Sequence, residues 1–167
     1  MRRDGYFWFQ RLTGKIESVS FPNYNEEVPV LWDTLTKYRD CAQGLMRIIV
    51  GFLFFTHGAQ KLLGWFGGFG GEPGGTAELF SRFGFAGVLE VAGGLMIMVG
   101  FLTRPVAFVL SGQMAVAYFW MHVPNGLWPW QNRGELAALY SWVFLFLATA
   151  GAGSFSVDSV LNKGKET

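Results

Sequence analysis

The chain has 167 residues, 51% of them hydrophobic and 15% charged, with a formal net charge of +1 and a mean hydropathy of +0.29. That is too apolar for an ordinary soluble domain and fits an integral membrane protein with short loops. The near-neutral balance lacks the basic footprint of a nucleic-acid binder. The single Cys41 excludes an internal disulfide, a dithiol redox pair and a cysteine-ligated iron–sulfur cluster within one copy.

Residues 1–40 are polar with aromatic punctuation. Trp8, Phe9, Leu12 and Ile16 fall near helical spacing among Arg2, Arg3, Arg11 and Lys15, which reads as a helix on a membrane surface. Arg2 and Arg3 lead into YFWF and then polar sequence, which is not the pattern of a cleavable signal peptide. Residues 21–29 form an acidic, turn-rich loop. Residues 30–40 read as a second interfacial helix, with Leu31, Leu35 and Tyr38 on one side. This extension is either a surface anchor or a docking arm for a partner subunit.

Four apolar stretches follow, at about residues 41–65, 83–102, 105–122 and 134–152. Each is long enough, at about 20 residues, to cross a bilayer core. A glycine-rich loop over residues 64–75 joins the first two; it has no lysine and no preceding strand, so it is not a phosphate loop. Residues 76–82 are expected to add a short turn of surface helix. Thr103, Arg104 and Pro105 make a tight turn before the third span. A loop with Trp128 and Trp130 precedes the fourth. The expected fold is all-α, an integral membrane four-helix bundle with an N-terminal interfacial extension and a polar tail at 161–167. Arg104, Lys163, Lys165 and the basic arm outnumber Arg82 and Arg133, so both termini are expected in the cytoplasm.

Charges inside membrane spans are costly and therefore informative. His57 and Lys61 are four apart and share a helix face. By helical rise, His57 lies roughly 12 Å and Glu90 roughly 10 Å below the outer ends of consecutive antiparallel spans. Glu90 is thus placed to answer the cations of the first span. His122 and Glu135 sit at the outer ends of the third and fourth spans, with Tyr140 below Glu135. Together His57, Lys61, Glu90, Tyr140, His122 and Glu135 define a candidate polar pocket in the outer third of the bundle. Arg47 lies at the opposite side, where it is expected to snorkel to headgroups as an anchor. Gly44, Gly51, Gly58, Gly87 and Gly94 repeat at heptad spacing and serve helix packing. Gln113 is expected to make an interhelical hydrogen bond.

The polar residues also have a structural reading, in which Glu90 neutralises Lys61 or His57 only to hold two helices together. His57 and His122 differ in level by roughly two turns, which argues against haem held within one chain. No spacing matches a metal motif, and no nucleophile has a base at a recognisable distance. No cofactor is expected to be held by this chain alone.

The motif R-x9-HGxxK (Arg47, His57, Gly58, Lys61), Glu90 followed by Gly93 and Gly94, the run GFLTRP and the terminal GAGSFSVD together resemble the DoxX family of small four-helix membrane proteins. The resemblance spans about residues 41–160 and all four apolar stretches; residues 1–40 match nothing in it. It implies a multi-pass protein of the cytoplasmic (inner) membrane of a prokaryote. The family takes its name from a subunit of a thiosulfate:quinone oxidoreductase, and other members are linked to membrane thiol and oxidative-stress complexes. The resemblance implies importance for Arg47, His57, Lys61 and Glu90. The resulting expectation is a membrane subunit of a larger, redox-linked complex, with a possible quinone in the pocket and no independent catalysis. The alternatives are a purely structural subunit, with residues 1–40 binding its partners, and a small-molecule or proton pathway.

Overall fold

A computed structural model describes residues 34–163. The expected surface helix near residues 8–16, the acidic loop and the last residues of the tail lie outside them. Residues 34–36 are helical and belong to a separate N-terminal unit; the membrane bundle is the unit that starts at residue 38. Among the described residues every regular element is helical.

Helix α1 spans Arg39–Leu63 and ends at Gly64, whose left-handed backbone (φ 67°) turns its N–H back onto Ala59. Helix α2 spans Arg82–Val99. The Ser81 hydroxyl caps it by accepting from the Gly84 N–H at 3.1 Å, and Gly100 ends it at φ 71°. The helical turn expected over residues 76–82 does not form. That segment is extended and turned instead, and its Ala77 N–H bonds the Lys61 carbonyl at 2.7 Å, tying the loop to the end of α1. Helix α3 spans Thr103–Ala117 and widens into a π-helical turn over Tyr118–His122. A short α4 (Pro129–Asn132) leads to α5 (Glu135–Ala150), and α6 (Val157–Lys163) closes the described chain.

Three of these helical stretches are long and apolar enough to cross a membrane: Arg39–Leu63, Arg82–Val99 and Thr103–Asn125. The fourth, α5, has 16 residues, about 24 Å of helix. It is shorter than the expected 134–152 because Arg133, left-handed at φ 60°, and Gly134, outside helical geometry as the N-cap, start it late, and Gly151, at φ 92°, stops it early.

The bundle is two tight pairs, α1 against α2 and α3 against α5, joined where α2 meets α3. In the first pair the backbones touch. A Cβ on Gly51 would lie 2.6 Å from the Met98 nitrogen, and one on Gly58 the same distance from the Val91 nitrogen. Membrane helices associate through such close packing, since lipid offers no hydrophobic drive. Gly87 and Gly94 belong to the same seam, whereas Gly44 faces the backbone of Ser154 and admits the loop after α5 instead. Between the pairs lies an apolar core of Phe54, Ile97, Leu110, Met114, Phe144 and Leu147.

One end of the bundle is locked by side chains that bond helix ends. Arg47 does not snorkel: it is fully buried. Its guanidinium donates to the carbonyls of Ile97 and Met98 at the end of α2 and to those of Ala152, Ser154 and Phe155 in the loop after α5. The seam that lets α1 approach α2 so closely leaves Arg47 no path to the surface, and the last carbonyls of α2, which lack an N–H four residues on within the helix, accept hydrogen bonds from it. Arg104 performs the same task for α5, donating to Ala148, Thr149 and Ala150. Gln43 bonds the Gly151 carbonyl at 2.8 Å. Asp158 completes the lock by accepting from the backbone N–H groups of Leu102 and Thr103 at 2.8 and 2.9 Å, at the start of α3.

Candidate functional site

The opposite end is hollow. A cavity of about 950 Å³ opens there, walled mainly by apolar side chains of α1, α2, α3 and α5. Its polar residues include five of the six expected from the sequence: His57, Lys61, Glu90, His122 and Tyr140. Glu135 is not among them. As the first residue of α5 it is exposed and turned away, while Leu136 and Ala137 line the cavity in its place.

Lys61 and Glu90 meet across the α1–α2 seam. The Lys61 ammonium donates to both carboxylate oxygens, at 2.7 and 2.5 Å, and Glu90 is buried. Glu90 can reach Lys61 because Gly58 stands beside it: a Cβ there would lie 2.8 Å from the Glu90 Cβ. Neutralising each other, the two charges can remain inside the bundle, whereas either alone would be expensive.

His57 and Tyr140 sit beside this pair from α1 and α5, ring edge to ring face with centroids 6.2 Å apart. Tyr140 is held from below by Phe54 and Phe144, at 5.3 and 5.8 Å between centroids. Neither the Tyr140 hydroxyl nor a ring nitrogen of His57 hydrogen-bonds to a described residue, so both polar groups are available at the cavity surface. Gln113 bridges α3 to α2 through its Nε2, 3.3 Å from the Ala86 carbonyl, as expected of an interhelical bond; its Oε1 is buried and has no partner among the described residues.

Other residues at the rim are not expected in the pocket from the sequence. Arg82 and Arg133 stand at the rim, without a carboxylate partner among the described residues. Asn132 is buried and braces the rim, donating to the Gly126 carbonyl at 2.7 Å and accepting from the Gly134 N–H at 2.8 Å. The Asn132 carbonyl lies 3.1 Å from Nδ1 of His122. The π-helical turn of α3 carries Trp120, Met121 and His122 onto the cavity wall. Such turns recur at functional sites because one extra residue re-aims the side chains of that turn.

The set of groups suits a small polar head more than a metal. A cation, a carboxylate, an imidazole and a phenol converge on a space with apolar walls. They can donate or accept hydrogen bonds and hold protons, and the cavity has room for a ring with part of a chain attached.

Comparison with known proteins agrees with the motifs. The DoxX family profile matches residues 42–123. An uncharacterised protein of Haemophilus influenzae is 38% identical over 130 residues, 76% of this chain and 96% of that protein. The inner membrane protein YqjF of Escherichia coli is 31% identical over 141 residues, covering 77% of this chain and 98% of YqjF. CatD of Bacillus subtilis, whose name marks it only provisionally as an oxidoreductase, is 25% identical over 129 residues, 73% of this chain and 88% of CatD. No solved structure matches. With its apolar helices and these relatives, the chain is a multi-pass inner-membrane protein and a member of the DoxX family.

Proposed function

We propose that this protein is an integral subunit of a redox-linked membrane complex and that its cavity holds the ring of a quinone. The observation that carries this reading is the convergence of a Lys61–Glu90 pair, its carboxylate buried, with a Tyr140 hydroxyl and a His57 imidazole that no described residue satisfies. Reduction of a quinone to a quinol takes up two electrons and two protons. Donors to its two carbonyls are at hand in Tyr140, His57 and Lys61, and Glu90 and Lys61 can hold and pass protons. The electrons come from a partner protein, since the chain has no cysteine pair to carry them. The provisional oxidoreductase designation of CatD supports the same direction. The distribution of lysine and arginine favours cytoplasmic termini, with the cavity toward the outer leaflet.

The test is made on the complex purified in a gentle detergent from membranes carrying Glu90→Gln or His57→Ala. Both variants are expected to insert normally, to lose bound quinone and to lose quinone-linked turnover. Unchanged turnover in both would sink the proposal.

A second reading, a structural subunit whose polar cluster is helix glue, is favoured by one observation: Glu90 commits both oxygens to Lys61. A transport pathway is less well supported, because Arg47, which would have to provide its polar step at the other end, is committed to five carbonyls.

A further inference from the structure

The cavity does not open only at the membrane surface. Near the locked end α2 and α3 pack closely; a Cβ on Gly93 would lie 2.7 Å from a methyl of Leu110. Further along they part. Beyond the Gln113–Ala86 bond, Phe85 on α2 and Val116 and Trp120 on α3 line the cavity, yet they are 60%, 52% and 71% exposed. A side chain that both lines a cavity and faces outward stands at the edge of an opening. Here the edges belong to two neighbouring membrane-spanning stretches, Arg82–Val99 and Thr103–Asn125. From the level of Val116 to that of Trp120 the gap runs for about 6 Å of helix. Val116 lies nine residues, about 14 Å of helix, from the end of its stretch at Asn125, so the gap faces acyl chains.

We infer that the cavity is loaded sideways, from the lipid between α2 and α3, by an amphiphile that enters head first and leaves its tail in the gap. The inference rests on the quinone reading of the site and adds its route and its form of ligand. Three features support the occupant. The gap lies within the bilayer, so what reaches it is dissolved there. Its edges are apolar and suit a hydrocarbon or isoprenoid tail. The deep end is polar but electrically balanced, since Lys61 and Glu90 cancel, which favours an uncharged hydrogen-bonding head over a phosphate or carboxylate. The tail then contributes affinity in proportion to the apolar surface it covers, and the head alone sets where the molecule stops.

The experiment uses the full chain in lipid nanodiscs and two photoreactive azido-benzoquinones, one with a ten-carbon alkyl tail and one with none. Labelling rate is measured for wild type, Val116→Trp and Trp120→Ala. Val116→Trp narrows the gap and is expected to slow labelling by the tailed probe about tenfold, leaving the tail-less probe unchanged. Trp120→Ala widens the gap and should speed the tailed probe; because its side chain is largely exposed, the bundle should fold as before. Unaltered labelling by the tailed probe in both variants, or equal slowing of both probes by Val116→Trp, overturns the sideways route while leaving the quinone site standing. Failure of the tailed probe to label the wild type overturns the quinone reading and the route with it.

Discussion

Two cations in the same helix, Arg47 buried and Lys61 half-buried, have opposite fates. Lys61 meets a carboxylate, and that pairing is legible in the sequence: equal depth on consecutive spans and one acid between two candidate cations leave few alternatives. Arg47 meets only backbone carbonyls. Carbonyls carry no residue identity, so no sequence pattern announces them, and surface snorkelling is the natural expectation. The chemistry explains why arginine stands there, since five donors in a rigid fork can serve several carbonyls at once, and lysine has three on a flexible stem. Arg47→Lys is therefore expected to insert but to lose about 3 kcal/mol of stability, because several buried acceptors are left unmet. Thermal unfolding in detergent should show a clearly lowered midpoint. A midpoint equal to wild type would mean that water replaces the lost donors.

The helices themselves are largely readable from runs of apolar residues and their punctuation. The first span, expected over 41–65, appears as Arg39–Leu63. The fourth is overestimated, because glycine at 134 and 151 reads equally well as helix interior or helix end without the backbone angles that decide it. The π-helical turn at Tyr118–His122 is not readable, since its extra residue leaves no compositional trace. The GAGSFSVD run, in contrast, finds its cause in the fold: it supplies carbonyls to Arg47 and a carboxylate to the start of α3. Leu102 sits there at φ 49°, a left-handed conformation that a branched side chain rarely adopts. Asp158 accepts its N–H and that of Thr103, and so holds the turn as a cap supplied from a distant segment. Asp158→Ala is expected to cost about 1 to 2 kcal/mol and to free the C-terminal segment. Limited proteolysis should then cut after residue 150 faster than in wild type, with the four long helices intact.

At the scale of the molecule, the motifs that identify the family divide between the two ends. Arg47, the 100–105 turn and the 151–158 loop build the lock; His57, Lys61 and Glu90 build the hollow. Helical rise alone locates the polar pocket at the right end, but not its rim, because Arg82, Asn132 and Arg133 come from loop junctions whose positions only the packed chain determines. Residues 1–33 lie outside the described bundle, and the docking role proposed for the arm is open to direct test. Deleting them should release the protein from its complex in a gentle-detergent pull-down while the remaining spans still insert and unfold at the wild-type temperature. An intact complex after the deletion would move the partner contact onto the helices.

The division between a hollow end and a lock made of backbone bonds also has an electrical meaning. A charge carried across the whole bilayer exchanges about 2.3 kcal/mol with each 100 mV of membrane potential. Between Glu90 and the lock the described core is apolar, with Phe54, Ile97, Leu110, Phe144 and Leu147, and gives a proton no side chain to step onto. On the quinone reading proposed above, this chain exchanges protons with one leaflet only, and any charge that crosses the whole bilayer is carried by the electrons or by other proteins.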